Sequence, residues 1–379
     1  MCLLLTAVRK CCRLYKVRND INCMMMVVVS YRKAQLRGKG LDMPMIYAPV
    51  MIITCNRDQH LARCIESLQK NEYAKDTELY ISVDYPWAEQ YIEGWKKVCE
   101  LLKRPIEGFK RVTIYYQEQN LGFYKNKTYL YNKVYEQHDR VIFTEDDNEF
   151  SPNFIEYIDK GLMQFEKDPN VFAICGYGYD YKFDAQGNNV IALTNCCVWG
   201  CGFWREKEKK VYDQLRLSVW EKKARNPFIM GRLYRNRKRL FSRMLGVLLS
   251  EEQDEMIEKR DISRGIVMAL NGWYTVNPVI SKVRNWGWDG TGLNIPGIKE
   301  KQEEYENQKI DGNLHFEYSS IRLVPDIVND HLLDANGEWN IDRAKWYNDP
   351  LTYFLYWLLG KDKFFKYIRG KKEKEKRSV

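Results

Sequence analysis

The chain has 379 residues, of which 45% are hydrophobic, with 60 Lys and Arg against 51 Asp and Glu for a formal net charge of +9. That apolar share excludes a chiefly disordered or fibrous chain, and the length suits one large domain or two modest ones. The charge is uneven: residues 1–40 and the tail from Lys361 are basic, Lys222–Arg243 holds nine cations and no carboxylate, and the remainder is net negative. An acidic body argues against a nucleic-acid partner, whereas basic amphipathic appendages suit an anionic membrane surface. Eleven cysteines, an odd number without a CxxC pair, point to a reducing compartment. No run approaches the roughly 20 apolar residues that span a bilayer. The expectation is a cytoplasmic protein, at most peripheral to the inner face of the cell membrane.

Residues 1–42 show no clear period and read as a basic N-terminal extension, with Met43 or Met45 as an alternative start. Val50–Thr54 is a continuous apolar run, as expected of a strand covered on both faces. Asp58 is a candidate cap for a helix with Leu61, Cys64, Ile65 and Leu68 on one face. Leu79–Val83 is a second strand, followed by a helix carrying Trp95, Val98 and Leu102 and by a third strand, Val112–Tyr116. A helix follows Gly122, and Arg140–Thr144 is the next strand. Ser151 and Pro152 suit the start of a helix with Phe154, Ile158, Leu162 and Phe165 as its stripe, and Val171–Cys175 is a further strand. Beyond about residue 205 the alternation gives way to charged helical sequence. This is the pattern of an α/β fold, with a mostly parallel central sheet flanked by helices and a helical C-terminal part. The division reads as 1–42, then 43–204, then 205–300 with the basic insert, then 301–379 with a basic tail.

Ligands of such sheets lie beyond the carboxyl ends of the strands. That rule selects Thr54–Asp58, Asp84–Trp87, Asn120–Lys125 and Glu145–Asn148. The sharpest of these is Thr144-Glu145-Asp146-Asp147. Adjacent carboxylates at a shielded strand end repel one another, and Mn²⁺ or Mg²⁺ with phosphates completing its shell would relieve that repulsion. The bland alternative is a solvated acidic turn. There is no GxxxxGK[ST] loop, and Thr54–Arg57 lacks the dinucleotide-binding glycines. The four histidines form no arguable catalytic arrangement with Ser or Cys. Cys196, Cys197 and Cys201 match no zinc spacing.

Taken in order, Ile53–Arg57, Gly122–Lys125, Thr144–Phe154, Trp199–Trp204 and Ser281–Gly290 resemble nucleotide-sugar glycosyltransferases of the GT-A fold (Rossmann-like). The resemblance is to bacterial family-2-type enzymes related to N-acetylglucosaminyltransferase I, which build surface polysaccharides. It runs from Ala48 to about Leu293. It implies a UDP-sugar donor, with Arg57 at the diphosphate, Asp84 at the uracil, Asp146 near the ribose and Glu145 near the sugar. Asp147 is then the metal ligand, and Thr54 and Lys125 complete the donor-binding set. Trp199 and Trp204 form a wall against which sugars pack. Asn285–Asn294 is a lid, with Gly287, Asp289 and Gly290 at its centre. The family places a general base about twenty residues before the Ser-Lys-Val-Arg-Asn stretch, and Asp261 fits best, although Arg260 stands where relatives have Trp.

The resemblance thus implies an inverting, metal-dependent glycosyltransferase, a hexosyl- or N-acetylhexosaminyltransferase, acting on a hydroxyl of a glycan or lipid-linked saccharide. Other readings stay open at this point. Arg57 suits a surface ion pair, Asp84 a turn before Pro86, and Trp199 and Trp204 the core. A catalytically inactive sugar-binding relative and a basic nucleic-acid-binding protein are the alternatives.

Overall fold

The apolar runs from Val50 onward become strands β1 (Val50–Thr54), β2 (Glu78–Val83), β3 (Arg111–Tyr116) and β4 (Arg140–Glu145). The computed structural model describes residues 45–179, 185, 187–249, 261–292, 299–319, 321–323, 348–364 and 366. Residues 1–42, the acidic run Glu251–Glu258 and most of the basic tail therefore lie outside the described residues.

Helices α1 (Asp58–Gln69), α2 (Ile92–Lys103) and α3 (Gly122–Tyr135) join the first four strands. Next come β5 (Asn148–Phe150), α4 (Phe154–Gln164), β6 (Val171–Cys175), β7 (Val190–Leu193) and β8 (Cys201–Trp204). A run of helices follows: α5 (Arg205–Tyr212), α6 (Leu217–Ala224), α7 (Pro227–Asn236), α8 (Lys238–Leu248) and α9 (Asp261–Asn271). The chain continues through β9 (Tyr274–Pro278), β10 (Val283–Asn285), α10 (Lys299–Glu306), β11 (Ile321–Leu323) and α11 (Asn348–Leu359).

Nine strands form one sheet in the order β11-β7-β9-β6-β8-β4-β1-β2-β3, while β10 and β5 pair separately as an antiparallel ribbon. β8, β7 and β11 run against the other members, so the sheet is mostly parallel, as expected. Successive residues of β1 point to opposite faces. Val50 and Ile52 enter the core with α1, α2 and α4, whereas Met51 and Ile53 enter the core with α3 and α6–α9. Burial on both faces is why β1 reads as an unbroken apolar run.

Two helix starts differ from the sequence reading. Asp58 is the first helical residue rather than the cap; Arg57 holds the cap position, and no side-chain cap bond forms. α4 starts at Phe154 with Asn153 before it, because Ser151 and Pro152 still belong to the turn leaving β5. The sequence pattern does not announce β5 or β7 to β11. They are short and partly antiparallel, and their apolar runs are too brief to stand out from helical sequence.

Candidate functional site

The carboxyl ends of β1, β2 and β4 open onto a cleft of about 410 Å³. Its walls include Thr54, Cys55, Asn56 and Arg57 after β1, Asp84 and Trp87 after β2, and Glu145 and Asp146 at β4. Asn120, Gly122, Phe123 and Asn126 come from the start of α3, and Thr291 and Gly292 from the loop after β10. The parallel pairing of β1 with β2 and β4 brings these three strand ends side by side.

At the centre Arg57 faces the acidic pair. Its Nη1 donates to Asp147 Oδ2 at 3.0 Å, and its Nη2 donates to Asp146 Oδ1. Thr54 Oγ1 donates to Asp146 Oδ2 at 2.7 Å, so both oxygens of that buried carboxylate are used. Burial pushes the Asp146 carboxyl up, opposed by the Arg57 guanidinium and the Thr54 hydroxyl. Burial also opposes the charge of Arg57, but the two carboxylates outweigh it and raise its pKa. The acidic turn is therefore not a solvated one. It is a desolvated carboxylate pair with a fixed counter-charge, an arrangement that collapses energetically if one partner is removed.

Asp147 is held from the other side by Asn285 Nδ2 at 3.1 Å, and its carbonyl accepts from Trp286 N at 2.8 Å. Gly287 packs against it so closely that a Cβ there would collide with Asp147 Oδ2. The loop beyond is latched to α1. His60 Nε2 lies 3.1 Å from Trp286 O and 3.3 Å from Asp289 Oδ2, and the Arg63 guanidinium stacks 4.0 Å above the Trp286 ring. Burial alone would raise the Asp289 pKa, but bonds from the Thr291 hydroxyl and amide, with His60 and Arg57 nearby, hold it below the usual carboxylate range. Gly290 adopts a positive φ of 87°, which turns this loop back over the cleft.

Asp84 forms the other end. Its Oδ1 accepts from the amides of Tyr85 and Leu121 at 3.0 and 2.8 Å, and its Oδ2 from the amide of Gly122 at 2.8 Å and from Asn120 Nδ2 at 3.4 Å. It therefore anchors the turn into α3, and burial nonetheless leaves its pKa raised against those backbone bonds. Cys55 is pushed up to about 12, by burial first and then by Asp84 and Asp146, so it lines the cleft as a neutral thiol.

Not every expected residue reaches the cleft. Lys125 is exposed on α3 and does not line it; Asn126, one position on, does. The indole of Trp204 is buried and donates to Leu162 O at 3.2 Å. Because β8 runs antiparallel to β4, Trp204 sits opposite Arg140, at the end of β4 far from Glu145, and is core rather than a sugar-facing wall. Trp199 precedes β8, near the site end of the sheet, and packs edge-on against Tyr177 and Tyr305. Asp261 opens α9, and its side chain lies outside the described residues. Sequence reasoning did not single out Trp87, Phe123, Asn126 or Thr291 as site residues. The signal available was the place of Trp87 and Phe123 in the strand-end stretches Asp84–Trp87 and Asn120–Lys125 and of Thr291 in the lid; Asn126 falls one residue beyond the second stretch.

The acidic pair offers only oxygen donors, which fits a hard divalent cation. Among the described residues no three His, Cys, Asp or Glu side chains gather as a metal cage. A cation at Asp147 would therefore complete its shell with substrate phosphate or water.

A family model described as the GNT-I family matches residues 12–188. Among solved structures, Staphylococcus aureus TarS is similar at 15% identity over 44% of this chain and 30% of that one, with a TM-score of 0.29. S. aureus TarS 1-349 in complex with UDP is similar at 14% identity over 46% of this chain and 54% of that one, also with a TM-score of 0.29. The chain spans about half or less of the length of these structures. No curated protein sequence matches it. The family match covers β1 to β6, the strand-end cleft residues through Asp146, and Asp147 beside them. It stops before Trp199, Asp261 and the lid, and it begins inside the stretch that reads as an extension.

Proposed function

We propose that this chain, a GT-A-type glycosyltransferase related to the GNT-I family, is inverting and divalent-metal-dependent. In this reading it moves a sugar from a UDP-sugar to a hydroxyl of a glycan or lipid-linked acceptor in surface polysaccharide synthesis. The observation that carries the proposal is the desolvated pair Asp146 and Asp147 facing Arg57, with Arg57 and Asp146 on the wall of the cleft and Asp147 directly behind it. Buried carboxylates opposite a guanidinium at strand ends suit a ligand that brings both a diphosphate and a sugar.

Uracil is assigned to the end near Asp84. Trp87 and Phe123 line that end with aromatic surface, and Asn126 Oδ1 already accepts from Ser82 Oγ at 2.5 Å, which leaves its amide N–H groups for a uracil carbonyl. The uracil imide N–H would replace the Asn120 contact at 3.4 Å, the longest that Asp84 accepts. Arg57 would swing from the carboxylates to the diphosphate, which its planar fork matches in two places. Asp147, with Asp146 behind it, is the group that would hold the cation. When bound, such a cation supplies positive charge against the departing diphosphate. The loop from Gly287 to Gly292 covers the donor and excludes water.

Inversion needs a base on the far face of the donor sugar. We assign it to Asp261. α9 leads through Gly272 and Trp273 into β9, which runs parallel to β6, and a helix running back along the sheet from that turn would bring its amino end toward the strand carboxyl ends. An Asp there takes the proton of the acceptor hydroxyl as the new glycosidic bond forms.

The test is UDP release over a panel of sugar nucleotides, with Mn²⁺ or with EDTA. Turnover should require the metal, and Asp261→Asn should lose transfer while keeping donor binding. Full activity in EDTA would remove the metal from the proposal. Donor binding without turnover on any acceptor would make the chain a binding relative.

A further inference from the structure

α11 lies near the C-terminal end of the described structure, and it is apolar on both sides. Its inner side is docked: Tyr356 is buried, Tyr353 Oη donates to Ala224 O at 2.8 Å, and Trp357 Nε1 donates to Arg225 O at 3.1 Å. Its outer side should then be polar, as on other surface helices. Instead Leu351, Phe354 and Leu358, spaced i, i+3 and i+7, point to solvent with 63%, 45% and 60% of their surface exposed. Trp357 adds a half-exposed indole beside Phe354 and reaches the corner where α6 passes into α7. At that corner Phe228, the second residue of α7, is 81% exposed. The exposed aromatic and aliphatic groups thus gather around one corner, formed by two elements far apart in sequence.

The charge around this corner is one-sided. Arg232 and Arg235 follow Phe228 at i+4 and i+7 on the same face of α7, and both are exposed. Lys222 and Arg225 border the corner from α6, and Lys363 and Lys366 follow α11. Among the described side chains of these elements the carboxylates are Glu221, tied to Lys361 at 2.6 Å, and Asp362.

We infer that this corner, with Phe228, Leu351, Phe354, Trp357 and Leu358 at its centre and Arg225, Arg232 and Arg235 around them, docks on an anionic lipid bilayer. Charge complementarity selects that occupant. A two-fold contact between copies sets the same patch against itself, which would oppose like cations across the interface. An anionic bilayer accepts apolar side chains at the acyl boundary while its headgroups neutralise the cations. Among the described residues no helix is long and apolar enough to cross a membrane, so the contact is one of lying on the surface. The surface rests on its own geometry and not on the transfer chemistry.

The test is co-sedimentation of the full chain with vesicles of phosphatidylcholine alone or mixed with phosphatidylglycerol, at low and high salt. Binding is expected to the anionic vesicles and to fall with salt. Arg232→Glu with Arg235→Glu should weaken it by about tenfold or more, and Leu351→Ser with Phe354→Ser and Leu358→Ser should reduce it to the level of phosphatidylcholine alone. In the unsubstituted fold, brominated lipid should quench tryptophan emission, and Trp357→Phe should remove most of that quenching. Equal binding to both vesicles, or quenching unchanged by Trp357→Phe, would overturn the inference. So would a dimer in the absence of lipid that the Leu351, Phe354 and Leu358 substitutions dissociate. UDP binding by the same preparations reports separately on the donor cleft.

Discussion

The cleft and the corner formed by α6, α7 and α11 treat charge in opposite ways. In the cleft and along the β5/β10 ribbon next to it, charged groups are matched and buried or half-buried: Arg57 with Asp146 and Asp147, Lys282 with Asp311, Arg284 with Glu149. At the corner, cations stand exposed beside exposed apolar side chains, with few carboxylates to answer them. Fixed pairs cost desolvation and return geometry, which a site that must place a diphosphate requires. Unanswered surface charge costs little in the folded chain and is useful only toward something outside it.

If this contrast holds, substitutions in the cleft should unsettle the fold and those at the corner should not. The largest effect is expected at Arg57. Arg57→Ala leaves two desolvated carboxylates facing each other and should destabilise the chain by roughly 3–5 kcal/mol in denaturant unfolding, with Arg57→Lys recovering part of it. A loss within about 0.5 kcal/mol, the scale of an ordinary surface change, would mean that the cleft is not organised by this pair.

Asp311 comes next. Burial works against its charge, but Lys282, Asn313 and Asn153 hold its pKa below the usual 3.8. A carboxyl with a depressed folded pKa contributes stability that is present above pH 3.8 and lost as pH falls through the folded value. Asp311→Asn should therefore cost about 3 kcal/mol at neutral pH, since it strands the buried Lys282 ammonium. It should also flatten the stability curve below pH 3.8, which unfolding at stepped acidic pH would reveal.

Gly287→Ala should cost about 1–3 kcal/mol by overpacking and weaken donor binding, because the added methyl displaces Asp147. The smallest change belongs to the corner. Arg232→Glu with Arg235→Glu should stay within about 0.5 kcal/mol of the parent in stability, whatever it does to vesicle binding.

Much of the first half was legible because its signals are local. β1 and β4 are buried on both faces and so are continuous in apolar residues, and the carboxylates follow β4 directly. The direction of β8 is a property of the whole sheet, and nothing around Trp204 reveals that it faces away from the site. Lys125 and Asn126 differ by one helical step, about 100° around α3, which spacing from Gly122 does not resolve. The bonds that fill Asp84 come from amides at the start of α3, a contact visible only once β2 and α3 are placed. The apolar run Tyr353–Leu359 with its basic tail is legible as a segment suited to an anionic surface, but which of its side chains face outward follows only once the inner side of α11 is docked.

The central claim is that Asp146 and Asp147, with Arg57, form a nucleotide-sugar site. Calorimetric titration of UDP into the parent chain and into Asp147→Asn, each with and without Mn²⁺, tests it most directly. The account predicts Mn²⁺-dependent binding by the parent that Asp147→Asn abolishes without unfolding the chain. UDP binding of equal strength in both proteins, indifferent to Mn²⁺, would contradict it.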